Sequence, residues 1–183
     1  TRYLWSGYET YQETSRGLAK QVHGWMTPLL RKWDLVASSR PDYYIAVSDR
    51  VKDRIEKYYS RRVEKVIYPP VETSKGVALQ QSLQGHPLKN GDYFLVVSRL
   101  VGYKRIDAII RGFNARRFPL VIVGQGHAGR ELRRLAGSTI RFVAHHLTEG
   151  ELAAYYGNCR ACISMADEDF GIAAVEAQVS GKP

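Results

Sequence analysis

The sequence predicts an α/β protein built on a doubly wound parallel sheet and preceded by the end of a second α/β domain. Three observations predict it. Beyond residue 92, short apolar runs alternate with amphipathic segments, four strands each followed by a helix, and such alternation builds a parallel sheet with crossover helices. Before residue 72 the same order occurs once, as a strand, a basic helix and a strand closed by Pro69 and Pro70. Between the two lies a polar stretch carrying Gly76, Gly85, Pro87, Asn90 and Gly91, the composition of a linker. The expected organisation is residues 1–72 as the C-terminal part of a first domain, 73–92 as a linker, and 93–183 as a second domain truncated at its C-terminus. The chain starts at Thr1 rather than Met and stops just after a helical pattern, so both ends read as cuts in a longer protein.

In chain order, Tyr3 to Trp33 is rich in aromatic and basic residues. Trp25, Leu29, Trp33 and Val36 recur near helical spacing, with Leu30 beside them and Arg31 and Lys32 on the flank. Two readings stand: a helix packed on a missing domain, or a basic-aromatic face resting on a membrane surface. Asp42 to Val47 reads as a strand, and Ser48 as the N-cap of a helix reaching about Tyr59. Lys65 to Tyr68 is a short strand, stopped by prolines that cannot continue it.

In the second domain Tyr93 to Val97 is a strand, and Lys104 to Asn114 a helix with Ile106, Ile109, Ile110 and Phe113 on one face. Phe118 to Val123 is a strand, Arg130 to Ala136 a helix, and Ile140 to Val143 a strand. Thr148 and Glu151 form a capping box for a helix carrying Leu152, Tyr155, Tyr156 and Cys159. Ala161 to Met165 is the last strand and Ile172 to Val179 the last helix.

A net charge of +9 and a pI near 9.6 favour an anionic partner. Nucleic acid, an anionic membrane surface and a phosphorylated small molecule all suit that charge. No apolar run approaches the roughly 18 residues of a membrane span, and no signal-peptide pattern is present. Cys159 and Cys162 are spaced as a redox pair or half a zinc site. The apolar run that Cys162 opens favours buried small hydrophobes in a reduced cytosolic protein.

In doubly wound sheets ligands bind beyond the carboxyl ends of the strands. Ser98-Arg99, Gly124-Gln-Gly126 and Asp167-Glu-Asp169 all fall there and are expected to line one crevice. Arg99 offers a planar fork and Lys104 a mobile point charge, a pair suited to a diphosphate. Gly171 lets the chain turn into the last helix, whose free N–H groups can receive an anion. Glu168 and Glu176 add two separate carboxylates. Anion donors between two hydroxyl acceptors suit a nucleotide sugar.

Gly124-Gln-Gly126-His-Ala-Gly129 matches a dinucleotide fingerprint, which makes an oxidoreductase an alternative. The acidic residue that such a site needs at the end of the next strand is missing, since Val143-Ala-His145-His146 stands there. Gly124 and Gly126 are therefore expected to let a loop pack closely beside the nucleotide. His127, His145 and His146 have no partner acid in view and read as loop residues.

With these residues on the page, the chain resembles the GT-B glycosyltransferases of the family 4 type, or glycosyl transferases group 1, from Asp42 to Pro183. Ser98-Arg-Leu-Val-Gly-Tyr-Lys104, a strand ending in Val123-Gly-Gln-Gly126, and Glu168-Asp-Phe-Gly-Ile172 followed by Glu176-Ala and Gly181-Lys-Pro183 occur in that family's order and spacing. The resemblance implies retaining transfer of a sugar from a nucleotide donor to an acceptor hydroxyl, in a cleft between two Rossmann-like domains. It implies that Arg99 and Lys104 hold the diphosphate and stabilise the leaving group. Glu168 would face the transferred sugar, Glu176 would bond the ribose, and the backbone of Phe170, Gly171 and Ile172 would sit near the phosphates.

Arg2-Tyr-Leu-Trp5, Tyr68-Pro-Pro-Val71 and Tyr103-Lys-Arg-Ile-Asp107 resemble bacterial mannosyltransferase-like members, which implies GDP-mannose as donor. The expected partners are a nucleotide-diphosphate sugar, a glycan or lipid-linked acceptor in polysaccharide synthesis, and a peripheral membrane contact, with no nucleic acid. No cofactor and no metal site are expected, and a divalent metal is not required. The expected location is cytoplasmic, at the inner membrane face. A nucleotide-sugar epimerase of the same fold and a non-catalytic anion-binding module are the alternatives. Lacking the family's glycine-rich loop and acceptor residues, this stretch alone is expected to be inactive.

Overall fold

The computed structural model describes residues 2–14, 17–71 and 91–183. The chain divides into two compact units: Thr1–Pro69 with Glu168–Phe170, and Pro70–Asp167 with Gly171–Pro183. The expected linker, 73–92, lies outside the described residues except for its last two.

In the first unit a short 3-10 turn, Arg2–Leu4, leads into helices α1 (Tyr8–Thr14) and α2 (Leu18–Ser38). Strand β1 (Ile45–Ala46), helix α3 (Asp49–Tyr59) and strand β2 (Lys65–Val66) follow. The two strands pair in parallel, Ile45 with Lys65 and Ala46 with Val66. They are shorter than the apolar runs suggested. One flanking hydrogen bond extends the ladder at each end, Glu64 N–H to the Tyr44 carbonyl (2.9 Å) and Ile67 N–H to the Ala46 carbonyl (2.8 Å). Ser48 caps α3 as expected, its hydroxyl accepting the Val51 N–H at 3.1 Å.

Helix α2 extends the expected helical pattern in both directions and passes through Pro28. That proline removes the donor that the Gly24 carbonyl would otherwise receive. The side of α2 that carries Thr27, Asp34 and Ser38 is buried. Trp25 is 84% exposed, and Leu29, Trp33 and Val36 are also exposed, so the aromatic stripe is no part of this unit's core.

The second unit holds a four-stranded sheet of β3 (Phe94–Val97), β4 (Leu120–Val123), β5 (Ile140–Val143) and β6 (Ala161–Cys162), ordered β5-β4-β3-β6. Every pairing is parallel, with Phe94 level with Leu120 and Ala161, and Leu120 level with Ile140. Helices α4 (Ile106–Arg116), α5 (Gly129–Leu135) and α6 (Glu149–Asn158) make the connections, and α7 (Ile172–Val179) follows β6.

Alternate strand residues serve two cores. Val96, Leu120, Ile122 and Ile140 pack with Ile106, Ile109 and Ile110 of α4 and Leu132 of α5. On the opposite face Leu95, Val121 and Val123 pack with Tyr156 of α6 and Ala177 of α7. The two central strands, β3 and β4, are largely buried between helical layers, which is why their sequences read as continuous apolar runs.

Several boundaries differ from the sequence expectation. The helix expected from Lys104 is preceded by a 3-10 turn, Gly102–Lys104, and by Arg105 in the left-handed conformation (φ 52°). Lys104 therefore sits in the turn ahead of α4 instead of inside it. Strand β4 starts at Leu120 rather than Phe118, because Pro119 has no N–H to give the ladder. Strand β6, at the edge, keeps two residues of the five expected. One more bond, Ile163 N–H to the Leu95 carbonyl at 2.7 Å, continues its contact with β3.

Candidate functional site

From β3 the chain builds outward through β4 to β5, then returns to lay β6 on the other side of β3. The strand order thus reverses beside β3, and the crevice beyond its carboxyl end is where doubly wound sheets take ligands. Three strand-end loops are tied together there. Ser98 N–H bonds the Val123 carbonyl at 3.0 Å, Leu100 N–H the Gln125 carbonyl at 2.8 Å, and Ala128 N–H the Leu100 carbonyl at 3.0 Å. The Gln125 side chain donates to the Ala144 carbonyl, which joins the third loop.

Gly124 and Gly126 make this approach feasible. Gly124 has φ +146°, and a Cβ on it would lie 1.9 Å from the Ser98 carbonyl oxygen. A Cβ on Gly126 would lie 2.3 Å from that of Leu100. Backbone-on-backbone contact accounts for both glycines.

Arg99 leaves β3 exposed. Its guanidinium donates to the Tyr103 hydroxyl at 3.0 Å, and the Lys104 ammonium lies 5.3 Å from the centre of the same ring. A cation over a ring face is held by the ring quadrupole. Tyr103 therefore touches both cations that the sequence singles out, and it does so from the 3-10 turn. The sequence alone assigns Tyr103 no role. The spacing of Arg99 and Tyr103 (four residues, with an aromatic immediately before the lysine) is the signal that could have found it.

Gly171 adopts φ 85° and opens α7, whose first turn has no side-chain cap. The N–H groups there remain oriented as anion donors. Glu176 lies on the next turn, half-buried, and accepts the Tyr156 hydroxyl at 2.9 Å. Tyr156 is 2% exposed. Burial, then the adjacent Glu176 carboxylate, push its pKa far above the ordinary tyrosine value. The phenol is thus a fixed donor that orients one Glu176 oxygen. The two residues line a cavity of about 20 Å³ with Glu149, Leu152 and Ser180.

Arg99, Lys104, Gly124, Gly126, Gly171, Ile172 and Glu176 thus share the second unit. Glu168 and Phe170 do not: they cluster with the first unit, together with Asp169. There Asp169 pairs with Arg54 and, at 3.5 Å, with Arg2. Its carbonyl accepts the Ser48 hydroxyl at 2.5 Å. Phe170 lies 5.9 Å from the ring of Tyr68, whose hydroxyl donates to Asp49 at 2.6 Å. Two arginines of the first unit, Arg54 and Arg2, thus compensate the Asp169 carboxylate.

Also in the first unit, a cleft of about 160 Å³ is lined by Trp5, Arg54, Tyr58, Tyr59 and Asp169 among others. Its wall is set by Asp34, a buried carboxylate on α2 that accepts Trp5 Nε1 at 2.7 Å and the Tyr59 hydroxyl at 2.8 Å. Burial works to raise the Asp34 pKa, but these hydrogen bonds prevail and hold it below the ordinary carboxylate value. Arg31 stacks over Trp5 and Tyr8 and donates to the Leu4 carbonyl at 2.7 Å.

Cys159 is buried, its thiol donating to the Tyr156 carbonyl at 3.1 Å, and burial pushes its pKa up to about 11. Cys162 is half-buried and also shifted up by burial. Both are thiols at neutral pH, unsuited to nucleophilic or redox work. His127, His145 and His146 are exposed. Among the described residues no group of three or more His, Cys, Asp or Glu could hold a metal ion. No helix among them is long and apolar enough to cross a membrane.

The profile of the family described as glycosyl transferases group 1 matches residues 81–183, more than half of the chain. Among solved structures, the chain is similar to a crystal structure of a point mutant of S. aureus TarM in complex with fondaparinux, alpha-GlcNAc-glycerol and UDP. That match has a TM-score of 0.62 at 14% identity. It covers 83% of this chain, which spans 31% of the length of the TarM chain. At that identity the likeness establishes the fold. No curated sequence matches significantly.

Proposed function

Because the chain belongs to the glycosyl transferases group 1 family, we propose that the protein transfers a sugar from a nucleotide-diphosphate donor to an acceptor hydroxyl. The observation that carries this reading is the Arg99–Tyr103–Lys104 constellation at the strand-order reversal. Two cations set close together beyond a parallel strand suit a diphosphate better than any neutral ligand.

In the reaction the bond from the anomeric carbon to the β-phosphate oxygen breaks, and a bond to the acceptor oxygen forms. The nucleoside diphosphate departs with the electron pair, and the acceptor proton passes to it or to water. Arg99 and Lys104 stabilise the charge that grows on the leaving group, the place where positioned cations lower a barrier most. That service leaves no step requiring a cofactor or divalent metal. Glu176, its carboxylate oriented by Tyr156, accepts the ribose hydroxyls. Gly171 and Ile172 offer backbone N–H groups to the phosphates. Gly124 and Gly126 shape the loop beside the nucleotide.

The resemblance assigns Glu168 to the transferred sugar and Phe170 to the phosphates. It also assigns retention of anomeric configuration and GDP-mannose as the donor. That the matched TarM structure holds UDP supports a nucleoside diphosphate in this fold, not a particular base. A glycan or lipid-linked acceptor in polysaccharide synthesis, at the cytoplasmic membrane face, completes the proposal.

Calorimetry of the protein with GDP- and UDP-sugars, wild type against Lys104→Ala, tests it. Loss of one phosphate contact should weaken binding roughly 10-fold or more, since hydrogen bonds to charged groups contribute about 1.5–3 kcal/mol. Equal affinity in the two proteins sinks the diphosphate role. Release of a free epimer instead of a glycoside would sink the transfer itself.

A further inference from the structure

The two helical layers of the second unit carry opposite charge. Between Arg105 and Leu135, the segment that supplies α4 and α5, there are seven arginines against two carboxylates, Asp107 and Glu131, and all seven arginines are exposed. Helices α6 and α7, on the other face, carry Glu149, Glu151 and Glu176 and no basic residue. Asp107 pairs with Arg105 and Arg111 at 3.8 and 3.3 Å. Arg116, Arg117 and Arg134 enter no ion pair among the described residues.

These three arginines gather where α4 and α5 end. Asn114 locks the two ends together, donating to the Leu135 carbonyl at 2.7 Å and accepting the Gly137 N–H at 2.9 Å. Apolar side chains stand among the charges. Phe118, next to Arg117, is 49% exposed although its ring approaches Phe94 at 6.0 Å, and Leu135, next to Arg134, is 37% exposed. Arg160, also exposed, places its guanidinium 5.8 Å from the Phe94 ring. Glu131, three residues before Arg134, is the carboxylate nearest in sequence to this rim. The rim is formed at the amino ends of the strands, where Phe94, Leu120, Ile140 and Ala161 are level, and so opposite the ligand crevice.

We propose that this α4–α5 rim docks the protein on a bilayer surface rich in anionic phospholipid. Arginine forks match phosphate geometry. An anionic leaflet attracts clustered basic residues by about 1 kcal/mol each near the surface. Phe118 and Leu135 supply the apolar side chains that enter the headgroup boundary. A single-stranded nucleic acid would need aromatic faces on which bases stack, and Phe118 is the one largely exposed aromatic ring on this face among the described residues. Helix α2 also exposes Trp25, Leu29 and Trp33, but of its three cations, Lys20, Arg31 and Lys32, Arg31 is engaged by Leu4, Trp5 and Tyr8. Docking at the strands' amino ends leaves the opposite crevice open to a soluble donor.

The test is flotation of the full chain with vesicles of phosphatidylcholine alone or with 30% phosphatidylglycerol, a composition chosen for its anionic charge. Binding should need the anionic lipid and fall as salt rises from about 50 to 300 mM. The triple variant Arg116→Gln, Arg117→Asn, Arg134→Gln should lose roughly 100-fold in partitioning. Asn is chosen at position 117 because Arg117 has φ 54° and Asn tolerates that conformation. Phe118→Ser should lose a further several-fold, with circular dichroism at the assay temperature showing that the variant stays folded. Unchanged flotation of the triple variant overturns the proposal. So does its loss in Trp25→Ser, Trp33→Ser with the arginines intact, or tighter binding to single-stranded DNA than to the vesicles at equal salt.

Discussion

Tyr103 is a single side chain in contact with both cations of the proposed donor site. Its hydroxyl fixes the Arg99 fork and its ring holds the Lys104 ammonium, so both cations are aligned before any ligand arrives. Tyr103→Phe keeps the ring and deletes the hydroxyl. Nucleoside diphosphate binding should weaken about 3- to 10-fold, the loss of one net hydrogen bond, and calorimetry reads it directly. Gly126 makes a different kind of demand. A methyl group there meets the Leu100 backbone at 2.3 Å, and backbone cannot swing aside as a flexible side chain can. Gly126→Ala should cost about 2–3 kcal/mol, as overpacking of tight sites does, read as a lower midpoint in urea unfolding. Both glycines were legible in the sequence; what they touch was not, because contact with residues 98–100 is long-range. Glu168 and Glu176 were equally legible, but neither the Tyr156 hydroxyl on Glu176 nor the grouping of Glu168 with the first unit leaves a trace in spacing.

Among the elements, α2 shows how a helix can be legible in pattern and obscure in role. Its aromatic stripe predicts the helix, yet the stripe is exposed and the opposite, more polar side is the buried one. That side is fixed by Asp34, which receives Trp5 from the chain's start and Tyr59 from α3. Asp34→Ala leaves two donors without an acceptor and should destabilise the first unit by about 2 kcal/mol or more. Asp34→Asn, which keeps an acceptor, should cost less. Because the folded Asp34 pKa lies below its unfolded value, its contribution is complete above the ordinary carboxylate pKa near 4 and is lost as pH falls through the lowered folded value. The gap between Asp34→Ala and wild type in chemical unfolding should therefore narrow on acidification below pH 4. Elsewhere the element boundaries that moved did so for local reasons: Pro119 shortens β4, and a 3-10 turn with left-handed Arg105 delays α4. The second of these puts Lys104 with Tyr103 in a turn ahead of α4.

At the scale of the whole molecule, the second unit carries a buried phenol and thiol cluster that ties its stability to pH. Burial raises Tyr93 and Tyr156 well above the ordinary tyrosine pKa, and Cys159 up to about 11. For groups whose folded pKa is raised, stability is complete below the unfolded values, about 8.5 for thiol and 10 for phenol, and is lost as pH rises toward the folded ones. The urea midpoint should hold between pH 7 and 8 and fall steadily above about pH 9. Tyrosinate absorbance should rise with unfolding and not ahead of it. A midpoint unchanged at pH 10.5 would mean that these groups reach water in the folded protein.

The amino-acid sequence by itself determined the order of strands and helices in the second unit, the parallel sheet and the caps at Ser48 and Thr148, and it marked Arg99, Lys104, Gly171 and Glu176 as candidates. Each of these is written in near neighbours, through periodicity, turn chemistry or motif spacing, and the family follows from the same motifs. Tertiary structure alone decided that the strand order reverses beside β3, that Tyr103 joins the two cations, and that Tyr156 orients Glu176. It also decided that Asp169 answers to Arg54 and Arg2, and that the arginines of α4 and α5 gather on one face. All of these depend on which distant segments meet, and that is set by burial and close packing between elements, which no local pattern records.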